Sequence, residues 1–211
     1  MANIVVDEWM NEEKRTLIET FLPVGEISEE AKKEKNARAP TFEMHYWWTR
    51  KPLITARAAV LGALLPADFD PQEFEKLLGL EYVKSTGKRA FNYDITLERM
   101  EQLQAEYKKV WGNVPIVLDP FAGGGSIPFE SMRLGIDVIA NDYNAMAFLI
   151  LKATLEYPQK YGEPFYKEVE KGFQLIFEET KEEMEQYYPR FEEKEIAAYI
   201  WASQVKCTQC G

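Results

Sequence analysis

Along the first half of the chain the apolar residues recur at helical intervals, and prolines and glycines punctuate them. Residues 1–16 are mainly polar and read as a frayed lead-in; Leu17, Ile18, Phe21 and Leu22 then cluster at helical spacing until Pro23 ends the run. Ser28-Glu-Glu-Ala31 carries a capping signal and predicts the start of the next helix, with KKEKNAR continuing it as a solvated, mainly basic face up to Ala39-Pro40. Leu53–Leu65 follows Pro52 and is apolar over much of its circumference, which predicts a helix buried against the sheet. Asp70 and Pro71 predict a capped helix, because Asp suits the N-cap and Pro the first helical position. Val83–Tyr93 reads as a loop with room for a short strand. Ile95–Trp111 is amphipathic, with Leu97, Met100, Leu103, Tyr107 and Val110 in phase and Gly112-Asn113 closing it.

At Ile116 the rhythm changes. Ile116, Val117 and Leu118 form a short apolar run that predicts a buried strand, with Asp119 at its end. Gly123, Gly124 and Gly125 allow a sharp turn, and Ser126 or Pro128 starts a helix. Gly135–Asn141 is apolar and β-branched and predicts a second strand ending in Asp142, 23 positions after Asp119. Asn144 stands near the start of a further, mostly apolar helix. A strand, a glycine turn and a helix N-terminus bring bare backbone N–H groups to the carboxyl edge of a sheet, where open α/β sheets bind cofactors.

What this turn lacks narrows the ligand. No lysine follows the glycines, which excludes a nucleoside-triphosphate loop, and Pro128 falls where the dinucleotide fingerprint needs a third small residue. An acid just before the turn suits a cofactor bearing an ammonium group, since a carboxylate accepts its charged hydrogen bonds. S-adenosylmethionine is such a cofactor, and the interval to Asp142 matches that at which an acid reaches ribose hydroxyls. The plainer reading is a βαβ unit whose two acids only cap loop ends.

A second stretch, Thr41–Pro52, bears on the same pocket. His45, Tyr46, Trp47 and Trp48 occupy consecutive positions, followed by Arg50 and Lys51. They form either an aromatic plug with two surface cations or a loop against the cofactor, with a ring on the adenine or sulfonium and Arg50 or Lys51 meeting a carboxylate. His45 reads as a structural residue rather than a general base.

DPFAGGGS, residues 119–126, resembles the cofactor loop of amino-group DNA methyltransferases. HYWWTRKPLITARAAVLGALLP resembles the segment that those enzymes place before it. With LIETFLPVGEISEEAKKEK added, the chain is similar from about Leu17 onward to adenine-specific DNA methylases that contain a zinc ribbon. The resemblance implies an incomplete, Rossmann-like α/β methyltransferase core with helix-rich N- and C-terminal extensions. Its regions are 1–66, with the aromatic and Arg-Lys-Pro segment; a helical insertion at 67–113; the cofactor-binding βαβ unit at 114–160; and an acidic helical region at 161–211. It assigns the cofactor S-adenosylmethionine to Asp119, Pro120, Phe121, Ala122, Gly123, Gly125, Ser126, Asp142, Tyr143, Asn144, Trp48, Arg50 and Lys51. Cys207-Thr-Gln-Cys210-Gly211 looks like half of a zinc ribbon, with zinc in the full-length protein and the chain cut in mid-motif. No Asp/Asn/Ser-Pro-Pro-aromatic motif, which holds the target amine and stacks on the flipped base, occurs in the sequence. The expectation is therefore a cofactor-binding portion of the enzyme. The alternatives are a non-catalytic or split subunit docking to a partner chain that carries the motif, and an RNA or protein methyltransferase.

Composition limits the partners. The 211 residues carry a net charge of −10, so the chain taken whole is a poor grip on duplex DNA; DNA is expected to be held by regions outside it, beside a partner chain or homo-oligomer. Residues 161–200 hold 5 basic and 11 acidic side chains, and Phe173, Ile176, Phe177 and Met184 form one apolar stripe that reads as a docking face. No apolar run approaches a membrane span and no export signal is visible. The two cysteines lie together at the end of the chain, which points to a reducing, cytoplasmic setting.

Overall fold

The computed structural model describes residues 15–188, 198, 200 and 202–210. The chain divides into two compact units, Met1–Gly162 and Glu163–Gly211.

The first unit is helix-rich and built around α3 (Leu53–Leu64). Pro52 precedes it, and it is buried on nearly every side. Before it come α1 (Val24–Ala37) and α2 (Pro40–Met44); after it come α4 (Pro71–Leu77), α5 (Leu80–Thr86) and α6 (Leu97–Trp111). One apolar core holds Leu17, Ile54, Leu61, Phe74, Leu77, Leu103, Tyr107 and Leu134, so the region before the glycine turn and the turn's own helix share it. Asp70 accepts from the Gln72 amide, the cap expected for α4; α6 is capped by Thr96, which accepts from the Arg99 amide, and Gly112 ends it at φ 76°.

Four local expectations are corrected. Leu17–Glu19 makes only a single 3-10 turn, held by Thr16 and Glu19, because Pro23 lies too near for a helix to extend. α1 begins at Val24 rather than Ser28: Pro23 fixes the entry, and Ile27, Glu30 and Glu34 form the buried face, so Ser28 falls inside the helix. Thr41–Glu43, read as the start of a loop, belongs to α2, with Pro40 at its first position. Val83–Thr86, also read as loop, lies in α5, because Gly79 and Gly87, both left-handed, bracket one short helix.

The sheet is a single parallel pair, β1 (Val117–Asp119) and β2 (Val138–Ala140), with Val117, Leu118 and Asp119 opposite Val138, Ile139 and Ala140. α7 (Ser126–Arg133) joins them, completing the expected βαβ unit. One sheet face packs on the core. On the other, the paired side chains of Leu118 and Ile139 are 63% and 56% exposed, and among the described residues neither strand has a second neighbour. α8 (Ala145–Leu151) follows with Asn144 as its cap and runs through a π-helical turn, Lys152–Glu156, into α9 (Tyr157–Met184).

α9 is broken at Gly162, where φ is 59°. In the second unit Phe173 and Phe177 stack at 6.3 Å between centroids, and with Ile176 and Met184 they are exposed. Residues 196–201, an apolar run that reads as a helix or strand, lie almost wholly outside the described residues. No helix among the described residues is long and apolar enough to cross a membrane.

Candidate functional site

The parallel pairing fixes the site. Asp119 lies opposite Ala140, so Asp142, two residues beyond Ala140, emerges at the same sheet edge. The Asn141 amide donates to the Asp119 carbonyl at 2.9 Å, and the Ala122 amide donates to the Asn141 carbonyl at 2.9 Å, so the glycine turn is laced to the end of β2. The Asp142 carboxylate binds from one oxygen to the Gly123 amide at 2.8 Å and from the other to the Asn144 amide at 2.8 Å. Each oxygen keeps a second lone pair, so capping the loops and accepting ribose hydroxyls are compatible. Asp119 accepts only a long bond from the Phe121 amide, 3.3 Å. Burial pushes its carboxyl above the usual range; the Phe121 N–H opposes this, and the neighbouring Asp142 charge adds to it.

The turn sits under the aromatic segment. A Cβ on Gly123 would come within 2.7 Å of the Trp47 indole nitrogen, and one on Gly124 within 2.8 Å of Arg50 Nε. These glycines therefore serve close approach by another segment as well as the turn itself. The Ser126 hydroxyl donates to the Lys51 carbonyl at 2.7 Å, tying the first residue of α7 to the same strap. Arg50 donates from Nη2 to the His45 carbonyl at 3.4 Å, while its buried Nε and Nη1 have no hydrogen-bond partner among the described residues. Burial lowers its pKa.

The residues expected from sequence thus fall into two groups. Asp119, Pro120, Phe121, Ala122, Gly123, Gly125, Ser126, Asp142 and Asn144 lie in or next to the turn, and Arg50 joins them from the strap. Tyr143 is fully exposed; Trp48 is 86% exposed, edge-on to Tyr46 at 4.9 Å; Lys51 meets the turn only through its backbone. The ring that reaches the turn is Trp47, and Asn141 also braces it, through Nδ2 to the Pro120 carbonyl at 3.2 Å. Three glycines in a row were the available signal for Trp47, since such a run calls for something bulky against it.

Behind the turn lies a buried ionic lattice. Glu34 accepts from the Leu53 and Ile54 amides at 2.7 and 3.3 Å and so caps α3. Arg57 of α3 meets Glu130 of α7, which also binds Arg133 at 2.9 Å. The helix opening at the glycines is thereby clamped to the helix opening at the strap.

Residues 98–204, just over half of the chain, match the D12 class of N6 adenine-specific DNA methyltransferases. The chain belongs to that family. Membership implies a DNA substrate and S-adenosylmethionine as methyl donor. Residues 21–90 match a second family, one of unknown function (DUF1156). No curated protein and no solved structure matches the chain. The family description names no zinc ribbon. Cys207 and Cys210 are exposed free thiols, and among the described residues no three His, Cys, Asp or Glu side chains are grouped to hold a metal. Two thiolates do not make a four-coordinate site.

Proposed function

We propose that the chain is the cofactor-binding part of a Rossmann-like DNA methyltransferase acting on the adenine amino group, and that S-adenosylmethionine lies over the turn Asp119–Ser126. The observation that carries this is the parallel register, which brings Asp119 and Asp142 to the same carboxyl edge, with Asp142 bonded to the Gly123 amide of the turn. Asp119, hardly engaged by the protein, accepts the cofactor's ammonium group. Asp142 takes the ribose hydroxyls, and the orphan Nε–H and Nη1–H of Arg50 meet a carboxylate. When bound, the cofactor supplies an electrophilic methyl group on sulfur. This chain's residues orient it and balance its charges, so that positioning carries much of the rate.

Isothermal calorimetry with S-adenosylmethionine tests the site: binding is expected for the native chain and is lost on Asp119→Ala and on Asp142→Ala. Heat unchanged by both substitutions removes the assignment.

A second reading is that the acceptor motif sits on a partner chain. It is supported by the bare Leu118–Ile139 face and by a groove of about 830 Å³ along the outer edge of β2, lined by Val138, Ile139, Phe148, Leu151 and Leu155 among others. Parallel strands are ordinarily covered on both faces. Co-purification of a polypeptide bearing a Pro-Pro-aromatic motif, with methyl transfer only in its presence, distinguishes this reading.

A further inference from the structure

The net charge of −10 conceals a sharp local reversal. Residues 32–51 carry six Lys or Arg and two acids. Of the acids, Glu34 is buried as the cap of α3, and Glu43 is within 3.7 Å of Arg38. Lys32, Lys33, Lys35, Arg38 and Lys51 are all exposed. The Glu34 bonds to Leu53 and Ile54 hold the C-terminal half of α1 at the opening of α3, immediately after Lys51-Pro52, so helix and strap form one basic neighbourhood. That neighbourhood adjoins the glycine turn, since Trp47 and Arg50 of the same strap press on Gly123 and Gly124. It also displays Trp48 and Tyr46 to solvent, large rings that cost free energy to leave in water and offer flat faces to bases.

We infer that this surface, α1 from Lys32 to Arg38 with the strap through Lys51, is where the chain contacts the phosphate backbone of its DNA substrate. The inference rests on the reading of the adjoining turn as the methyl-donor site, because the reacting base must be delivered there. It gives a role to part of the segment matched by the family of unknown function and revises the expectation that DNA is held only elsewhere. Charge complementarity selects the occupant: exposed cations in an acidic chain suit a polyanion, and a rigid helix with a neighbouring strap can follow successive phosphates.

The experiment is fluorescence anisotropy of a labelled 20-base-pair DNA duplex with the full chain across a salt series. The triple variant Lys33→Gln, Lys35→Gln, Arg38→Gln is compared with a charge-matched control, Lys84→Gln, Lys88→Gln, Lys108→Gln. The triple variant should bind roughly tenfold or more weakly at low salt, with the log–log salt slope reduced by about 0.9 for each phosphate that is no longer neutralised. The control should bind like the native chain. An unchanged slope, an equal loss in the control, no DNA binding by the native chain, or tighter binding to an RNA duplex of the same sequence each overturns the inference. Calorimetry with S-adenosylmethionine on the same proteins keeps the two claims apart. Cofactor binding that survives while the DNA result fails sinks only this surface; a native chain that binds DNA as described but no cofactor sinks the reading of the turn.

Discussion

The Arg57 guanidinium and the Glu130 carboxylate meet at 2.5 Å with their side chains 2% and 0% exposed. Arg57 also donates to the Tyr93 carbonyl from Nη1 and Nη2, both at 3.2 Å, and Arg133 reaches that carbonyl at 2.8 Å. Two helices, each opening at one side of the proposed cofactor site, are thus joined through a charge pair that has no access to water.

Removing one member leaves its partner charged and buried. Arg57→Ala should destabilise the chain by about 3–5 kcal/mol, while the double variant Arg57→Met, Glu130→Met should recover a substantial part of that loss. Urea denaturation of the two proteins checks the ordering.

Asp119 and Asp142 should part company in stability. Burial raises the folded-state pKa of Asp119, so its ionised form disfavours folding, and this cost is present at neutral pH and relieved as pH falls through the raised value. Asp119→Asn should therefore keep or slightly raise Tm at neutral pH while abolishing cofactor binding. Native affinity should fall on acidification through the same range, as the carboxylate is neutralised. Asp142→Ala removes the acceptor for two amides and should cost about 1–3 kcal/mol as well as the binding. Thermal melts paired with calorimetry from pH 4 to 7 (a range of about three units around the carboxylate region) separate the two.

Gly123→Ala should be more damaging than Gly124→Ala. Gly123 has φ 51° and its added Cβ meets a ring, whereas the obstacle at Gly124 is the Arg50 side chain, which can swing away. Trp47→Ala in the Gly123→Ala background should restore part of the lost stability. No recovery would mean that the backbone angle alone carries the effect.

Arg50→Ala should weaken binding of S-adenosylmethionine by more than tenfold, ~1.4 kcal/mol, yet barely alter binding of its decarboxylated analogue, because the unpartnered guanidinium donors are assigned to the carboxylate. Comparing the two ligands by calorimetry on native and variant protein tests that assignment.

The legible parts of this molecule are those set by neighbours in sequence. Pro52 before α3, Asp70-Pro71 before α4, Gly112 after α6 and Asn144 before α8 act through their own backbone, and each is found where the pattern puts it. The βαβ unit was legible for the same reason. What escaped depends on distant contacts. Trp47 and Trp48 are adjacent and identical, and only the packing of the strap on Gly123 turns one inward and leaves the other outside. Glu34, inside a run of lysines, reads as a solvated charge; it is buried because α3 needs its first amides satisfied. Val83–Thr86 reads as loop because Ser, Thr and Gly favour turns, but the glycines at both ends make it one short helix.

The uncovered side chains of Leu118 and Ile139 have a consequence for handling and for change over time. Polar replacements there should leave the melting of the first unit nearly untouched while making the purified polypeptide less prone to clump. Natural variation would tolerate such replacements only where nothing needs to lie down on that surface.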